Sequence, residues 1–257
     1  MPLISLGKNF STLSYPNLEI VIVDDGSSDH SKEAIEFWLQ AHPHCRTQFR
    51  SRPNKGFVKT LNELIQMAAG EYIVFLDSDD LLVGDGIQKR YDYLQAHPQK
   101  GLVFGDCRLI NEYGEKLANS ALETLGKVNT TELDGASNDA IRQFAILNGY
   151  TTGSTVMAHR SIYETVGLFD DTLHSQDWVY HLRVAARDLM GFVNTPVSAY
   201  RLHTQNISSS MYQVKVISEN FRACFTAFPL FRKPQDKLYL MLQAINTGLQ
   251  IPYLWIK

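Results

Sequence analysis

Two stretches decide the fold: Leu18-Glu19-Ile20-Val21-Ile22-Val23-Asp24-Asp25-Gly26-Ser27-Ser28-Asp29 and Tyr72-Ile73-Val74-Phe75-Leu76-Asp77-Ser78-Asp79-Asp80. Each is a continuous β-branched or apolar run that stops in a burst of aspartates. Continuous apolar strands belong to sheets covered on both faces. Helical patterns lie between the two runs. Asp29 can cap a helix through about Ala41, with Ala34, Ile35, Trp38 and Leu39 on one side. Phe57 to Ala69 repeats apolar residues at Val58, Leu61, Ile65 and Ala68, with Gly70 where a helix C′ residue belongs. A third helix spans Ile87 to His97 and stops at Pro98, and Leu102 to Phe104 reads as a short strand. Alternating strands and helices predict an α/β fold, a mostly parallel sheet with ligand chemistry at the carboxyl ends of its strands.

Working outward, Ala121 to Asp139 is polar and weakly patterned and reads as a loop or mobile flap. A helix follows near Ala140 to Leu147, and another leads from His174-Ser175-Gln176-Asp177-Trp178 to about Asp188. Val193 to Tyr200 is a short strand that Pro196 interrupts, ending in Tyr200-Arg201-Leu202-His203. From Ser208 the chain turns basic, aromatic and helix-patterned. Residues from Arg201 onward carry a balance of +5, so those before it sum to −8 within a net charge of −3.

The 257-residue length suits one large or two small domains, with chain enough to bury a core without staples. Near-neutral charge argues against a nucleic-acid binder. Cys45, Cys107 and Cys224 are scattered and odd in number, which suits core residues of a reducing compartment. No apolar run is long enough to span a membrane, and Met1 to Ser5 lacks a signal-peptide layout. These features point to a cytoplasmic protein, soluble or held at the inner membrane surface.

Asp77-Ser78-Asp79 carries the sharpest chemistry. In an extended segment alternate residues face the same way, so both carboxylates can face one ligand. Paired hard-oxygen anions suit Mg²⁺ or Mn²⁺. Asp and Ser also favour turns and caps, but here acids and a hydroxyl follow five apolar residues. Asp24 and Asp25 sit at an equivalent strand end, where a carboxylate can hold ribose hydroxyls or a base N–H. Alone, Asp25-Gly26 would read as a turn.

The ordered series Tyr15 to Asp29, Asn54-Lys55-Gly56 and Gly70 to Asp80 closely resembles glycosyltransferase family 2, and the likeness returns from Gly167-Leu168-Phe169-Asp170 through Ser208. The resemblance implies a GT-A fold and an inverting transfer from a nucleotide-diphosphate sugar to a hydroxyl acceptor, free or lipid-linked, in surface polysaccharide or glycolipid synthesis. It implies donor contacts from Asp24, Asp25, Asn54, Lys55, Gly56, Asp77 and Arg201. It also implies an Mn²⁺ or Mg²⁺ ion on Asp77, Asp79 and His203, and Asp177 as general base. His174 lies outside the matched element and carries no role.

The chain departs from the family in two places. Met1 to Phe10 does not match the opening strand of the family, which suggests either a start placed too late or a shortened, catalytically degenerate copy that only binds sugar or a partner. Thr60-Leu61-Asn62 stands where many members have A-R-N, with Lys59 as a partial substitute. A haloacid-dehalogenase-type phosphatase also carries D-x-D after an apolar strand, but Leu81 stands where those motifs place Thr or Val. The domain reading is residues 1–207 as the transferase and 208–257 as a helical extension. In that extension Leu238, Leu242, Ile245 and Leu249 recur at helical spacing behind Arg232, Lys233 and Lys237. The stripe suits an in-plane membrane contact, and equally a helix packed on the domain or a homo-oligomer contact. The sequons at Asn129 and Asn206 carry no weight in a cytosolic protein.

Overall fold

The computed structural model describes residues 17–149, 152–173, 176–203 and 213–254. Met1 to Phe10, Tyr15, His174, Ser175 and Asn206 lie outside the described residues. The first aspartate-ending run forms strand β1 (Ile20–Asp24), joined through helix α1 (Ser31–Ala41) to the parallel strand β2 (Thr47–Ser51). Ile35 and Trp38 are the buried side chains of α1, whereas Ala34 is exposed. Helix α2 (Phe57–Met67) follows. It ends before Gly70: Ala68 is extended at φ −61°, so the expected glycine cap is not used.

The second run forms β3 (Tyr72–Val74), the edge of a larger sheet. Its path is β3, β7 (Val156–His159), β5 (Leu102–Ile110), β8 (Met190–Arg201), β4 (Leu81–Leu82), with β6 (Lys116–Ala118) paired to β5. The α/β architecture is as expected, but the sheet is mixed. β5 and β8 run parallel, whereas β3–β7, β5–β7, β4–β8 and β5–β6 pair antiparallel. β7 returns between two strands of common direction, which no chain of right-handed βαβ units would produce.

β5 and β8 are longer than their apolar cores suggested, because each is covered along its length. Pro196 does not interrupt β8. Its missing N–H is absorbed by register shifts on either side of Asp106, which pairs with Pro196. Gly105 makes room there, since a Cβ would sit 2.7 Å from the Val197 side chain.

The stretch expected to be a flap is folded into the body as short helices α4 (Ala121–Thr124) and α5 (Thr130–Leu133), leading into α6 (Asn138–Leu147). Ala121, Leu122 and Leu133 are buried, and Asp106 accepts the Leu122 N–H at 3.1 Å. Three buried apolar anchors spaced irregularly hold a segment that has no periodic pattern.

Helices α3 (Gly86–Ala96), α7 (Ile162–Thr165) and α8 (Gln176–Ala185) complete the transferase-like part. The main core joins Leu61 and Ile65 of α2 to Ile73, Phe75, Leu102, Phe104, Phe144 and Tyr180, so α2 welds the two-stranded sheet to the larger one. Helices α9 (Gln213–Ala227) and α10 (Pro234–Leu254) add a second core in which Phe231 and Leu240 pack on Ile146 and Leu182. Among the described residues no helix is long and apolar enough to cross a membrane.

Candidate active site

The loop after β1 and the loop before α2 are built against one another. Gly26 has φ +78°, and a Cβ on it would lie 2.7 Å from the Asn54 backbone nitrogen, so only glycine permits the approach. The Asp25 carboxylate accepts the backbone N–H of Lys55 at 2.8 Å and of Gly56 at 3.0 Å, and it pairs with Arg52. Arg52 also donates to Glu63 at 2.7 Å and to Thr60 at 3.0 Å. Asp24 is only 6% exposed and accepts from the Ser27 N–H at 3.0 Å and the Ser51 hydroxyl at 2.8 Å. Burial pushes both carboxyl pKa values upward, but these bonds outweigh it and leave both lowered. Asp24 and Asp25, expected to face a base and ribose, are thus engaged in holding the loops, while Asn54 and Lys55 stand exposed on the rim.

The loop after β3 is different. Asp77 to Asp80 is a turn closed by the Asp80 N–H on the Asp77 carbonyl at 3.0 Å, not an extended segment. The shared orientation of alternate residues therefore does not apply, and partners set each carboxylate's direction. Asp79 Oδ2 lies 2.8 Å from His203 Nε2. Asp80 is fully buried and accepts from the Ser154 hydroxyl and, at 3.1 Å, from the Arg201 N–H. Arg201 also donates from Nε to the Asp79 carbonyl at 2.8 Å and from Nη1 to the carbonyls of Asn111 and Glu112. Its guanidinium clamps the aspartate turn to the β5–β6 connection.

Asp77 sits deepest. Desolvation, then the neighbouring carboxylates of Asp80, Asp79 and Asp177, push its pKa up to about 8. Desolvation likewise raises Asp80 to about 6, against the bonds from Ser154 and Arg201. Asp177 stands in the first turn of α8, where Trp178 anchors the helix by donating from Nε1 to the Ala145 carbonyl at 2.8 Å. Desolvation lifts Asp177 to about 6. One turn on, burial lowers His181 to about 4, so it is neutral at pH 7.

The structure therefore brings Asp77, Asp79, Asp177, Arg201 and His203 to one cluster, with Asp24, Asp25, Asn54, Lys55 and Gly56 in another at the end of β1. Among the described residues no group of three His, Cys, Asp or Glu side chains is already arranged around one point as a metal cage. The donor set still suits a hard divalent cation. Asp79 and His203 converge, and burial with mutual repulsion raises the carboxyls of Asp77 and Asp80 beside them.

Sequence reasoning did not single out Asp80, Ser154 or Arg52. Asp80 was visible as the last acid of its run, but its burial was not. Nothing local marks Ser154 or Arg52. Lys59 is exposed, while Asn62 exchanges two hydrogen bonds with the Phe169 backbone at 3.0 and 3.1 Å.

Comparisons with known proteins bear on the family and the fold. The family model described as Glycosyl transferase family 2 matches residues 5–167. The poly-β-1,6-N-acetyl-D-glucosamine synthase of Staphylococcus epidermidis is 28% identical over 177 residues, 66% of this chain and 40% of the relative. An uncharacterized glycosyltransferase of Haemophilus influenzae is 36% identical over 85 residues, 33% of this chain and 34% of that protein. The chain thus spans well under half the length of these curated relatives. Among solved structures, a mannosyltransferase of Pyrobaculum calidifontis in complex with GDP-Man and Mn²⁺ matches with a TM-score of 0.67 at 18% identity, covering 99% of this chain and 70% of that one. S. aureus TarS 1-349 in complex with UDP-GlcNAc matches at 0.68 and 13% identity, covering 96% and 67%.

Proposed function

For a chain that belongs to glycosyl transferase family 2, we propose a metal-dependent inverting transfer of a sugar from a nucleoside-diphosphate donor to a hydroxyl acceptor. The observation that supports this reading most directly is the gathering of raised carboxyls, Asp77, Asp80 and Asp177, beside the Asp79–His203 pair. The P. calidifontis neighbour carries GDP-Man with Mn²⁺, and a donor diphosphate with such a cation is the ligand pair this cluster suits. Surface polysaccharide or glycolipid is the product class we favour, by analogy with the staphylococcal synthase.

Asp79 and His203, with Asp77 behind them, would hold the Mn²⁺ or Mg²⁺ ion. When bound, that ion neutralises charge that grows on the departing diphosphate. Asp177 accepts the acceptor hydroxyl's proton as that oxygen attacks the anomeric carbon opposite the leaving group. A carboxylate poised near pH 6 is basic enough for this task and still ionised at pH 7. Arg201 fixes the Asp79 turn and adds positive charge beside the diphosphate. Asp24 and Asp25 shape the nucleotide wall by setting the Asn54-Lys55-Gly56 loop, whose exposed Asn54 and Lys55 side chains face the donor. The transferase body is residues 1–207 and the extension 208–257, of which the two helices α9 and α10 pack on the body. We place the protein in the cytoplasm, where nucleotide sugars are made.

Calorimetry with a panel of nucleotide sugars, with and without Mn²⁺, tests this function. Metal-dependent binding of one donor, followed by its hydrolysis or transfer, is the expected result. No binding to any donor with Mn²⁺ present would instead favour a degenerate copy that serves as a binding protein.

A further inference from the structure

The C-terminal helices carry a surface that the transfer reaction does not use. They form an antiparallel hairpin: a side chain at Gly248 would meet the Phe221 ring, while Ala227 clusters with Leu240 nearer the turn. α10 buries Asp236, Leu240, Ala244 and Thr247 against the body. At about 100° per residue these share one face, and Leu238, Met241, Leu242, Ile245 and Leu249 fall on the opposite one. Those five are 54, 54, 49, 59 and 65% exposed, and Phe225 of α9 adds a sixth at 58%. The stripe, which in the sequence suits a membrane contact, a packed helix or an oligomer contact, is turned to solvent. The true packing face is the one that carries Asp236 and Thr247.

The exposed charges of the hairpin itself have one sign, although Lys233 pairs with Asp139 of α6 at 2.5 Å. No charged residue lies between Lys237 and Lys257. Lys215, Arg222, Arg232 and Lys233 are exposed, whereas both acids of the hairpin, Glu219 and Asp236, are buried. Lys215 and Arg222 share a face of α9 with Phe225 by helical spacing, and Arg232 and Lys233 sit at the start of α10.

We propose that this hairpin is a peripheral membrane contact, its apolar stripe lying in the plane of an anionic lipid surface with the cations on lipid phosphates. An exposed apolar face of this extent marks an interaction site, and a cationic margin selects an anionic partner. A second copy of the chain is the weaker occupant, because a self-complementary contact brings two cationic margins together. The hairpin is held rigidly. Arg142 of α6 pairs with Asp139, with Asp188 and, at 2.7 Å, with the buried Asp236 of α10. Docking the hairpin would therefore fix the attitude of the whole body on the surface.

Vesicle flotation of the full chain tests this, with phosphatidylcholine alone against a three-to-one mixture with phosphatidylglycerol. We expect binding to the anionic vesicles only, weakened by salt. The Leu242→Glu/Ile245→Glu variant should lose it by about a hundredfold or more, and Arg222→Glu and Arg232→Glu by about fivefold each. All four positions are exposed, and unchanged thermal melts would show that the variants fold. Equal flotation of wild type and Leu242→Glu/Ile245→Glu, no binding to either vesicle, or equal binding to both would overturn the proposal. So would a dimer by light scattering that the double variant splits, without vesicle binding. The readout needs neither donor nor metal, so its failure leaves the transferase reading standing, and the reverse.

Discussion

The loops after β1 and after β3 begin from the same sequence device, an apolar strand that runs into aspartates, and end in opposite electrostatic states. At Asp24 and Asp25, backbone N–H groups, serine hydroxyls and Arg52 supply more stabilisation than burial removes, and both carboxyls stay ionised. At Asp77 and Asp80, burial and mutual repulsion prevail, and both are pushed up. The first arrangement is finished and makes rigid loops. The second keeps its carboxyls raised even with Arg201 beside them, a concentration of acid that a bound cation would relieve.

The largest effect that tests this contrast is at Asp177. Asp177→Asn should cut transfer by about 10²–10⁴-fold while donor affinity stays within a few-fold, read by transfer kinetics beside calorimetry. Near-wild-type transfer would sink the base assignment. Next come Asp79→Asn and His203→Ala, each expected to weaken Mn²⁺ binding by about tenfold or more by titration calorimetry. Asp24→Asn should leave Mn²⁺ affinity unchanged and lower stability by about 1–3 kcal/mol. If Asp24→Asn also loses Mn²⁺, the two loops are one site and the comparison breaks.

Without metal, the two loops should respond to pH in opposite directions. Asp77, Asp80 and Asp177 have folded pKa values of about 8, 6 and 6, above the ordinary 3.8. Their contribution is present below that ordinary value and lost as pH climbs through 6 and 8. Asp24 and Asp25 are lowered, so theirs is present above the ordinary value and lost on acidification below it. The melting temperature of the apoprotein should fall by a few degrees from pH 5 to pH 8, and Mn²⁺ should restore more of it at pH 8. A metal-free melt that rises over that range would contradict the assignment. The smallest effect is at Arg52→Lys, which keeps the charge and loses the fork that reaches Asp25, Glu63 and Thr60 together. It should raise the donor KM a few-fold and leave Mn²⁺ affinity alone.

Much of this was legible beforehand because the signals were local. β-branched runs, helical spacing around Ile35, Trp38, Leu61 and Ile65, and the two acidic strand ends need no distant partner to be read. The long β5–β8 pair was underread because Pro196 signals a break, and only Gly105 across the ladder makes its bulge affordable. The 121–139 segment reads as a loop or mobile flap because its anchors, Ala121, Leu122 and Leu133, follow no period.

By itself, the sequence determined the α/β class and the family and supplied the candidate site residues, since residue type and short spacing hold that information. The tertiary structure alone decided which aspartates are neutralised, where Arg201 donates and which face of α10 meets water. Each of those depends on partners far along the chain, such as Arg52 for Asp25, Ser154 for Asp80 and Arg142 for Asp236. A carboxylate's state follows from what surrounds it, and those surroundings exist only once the chain has folded.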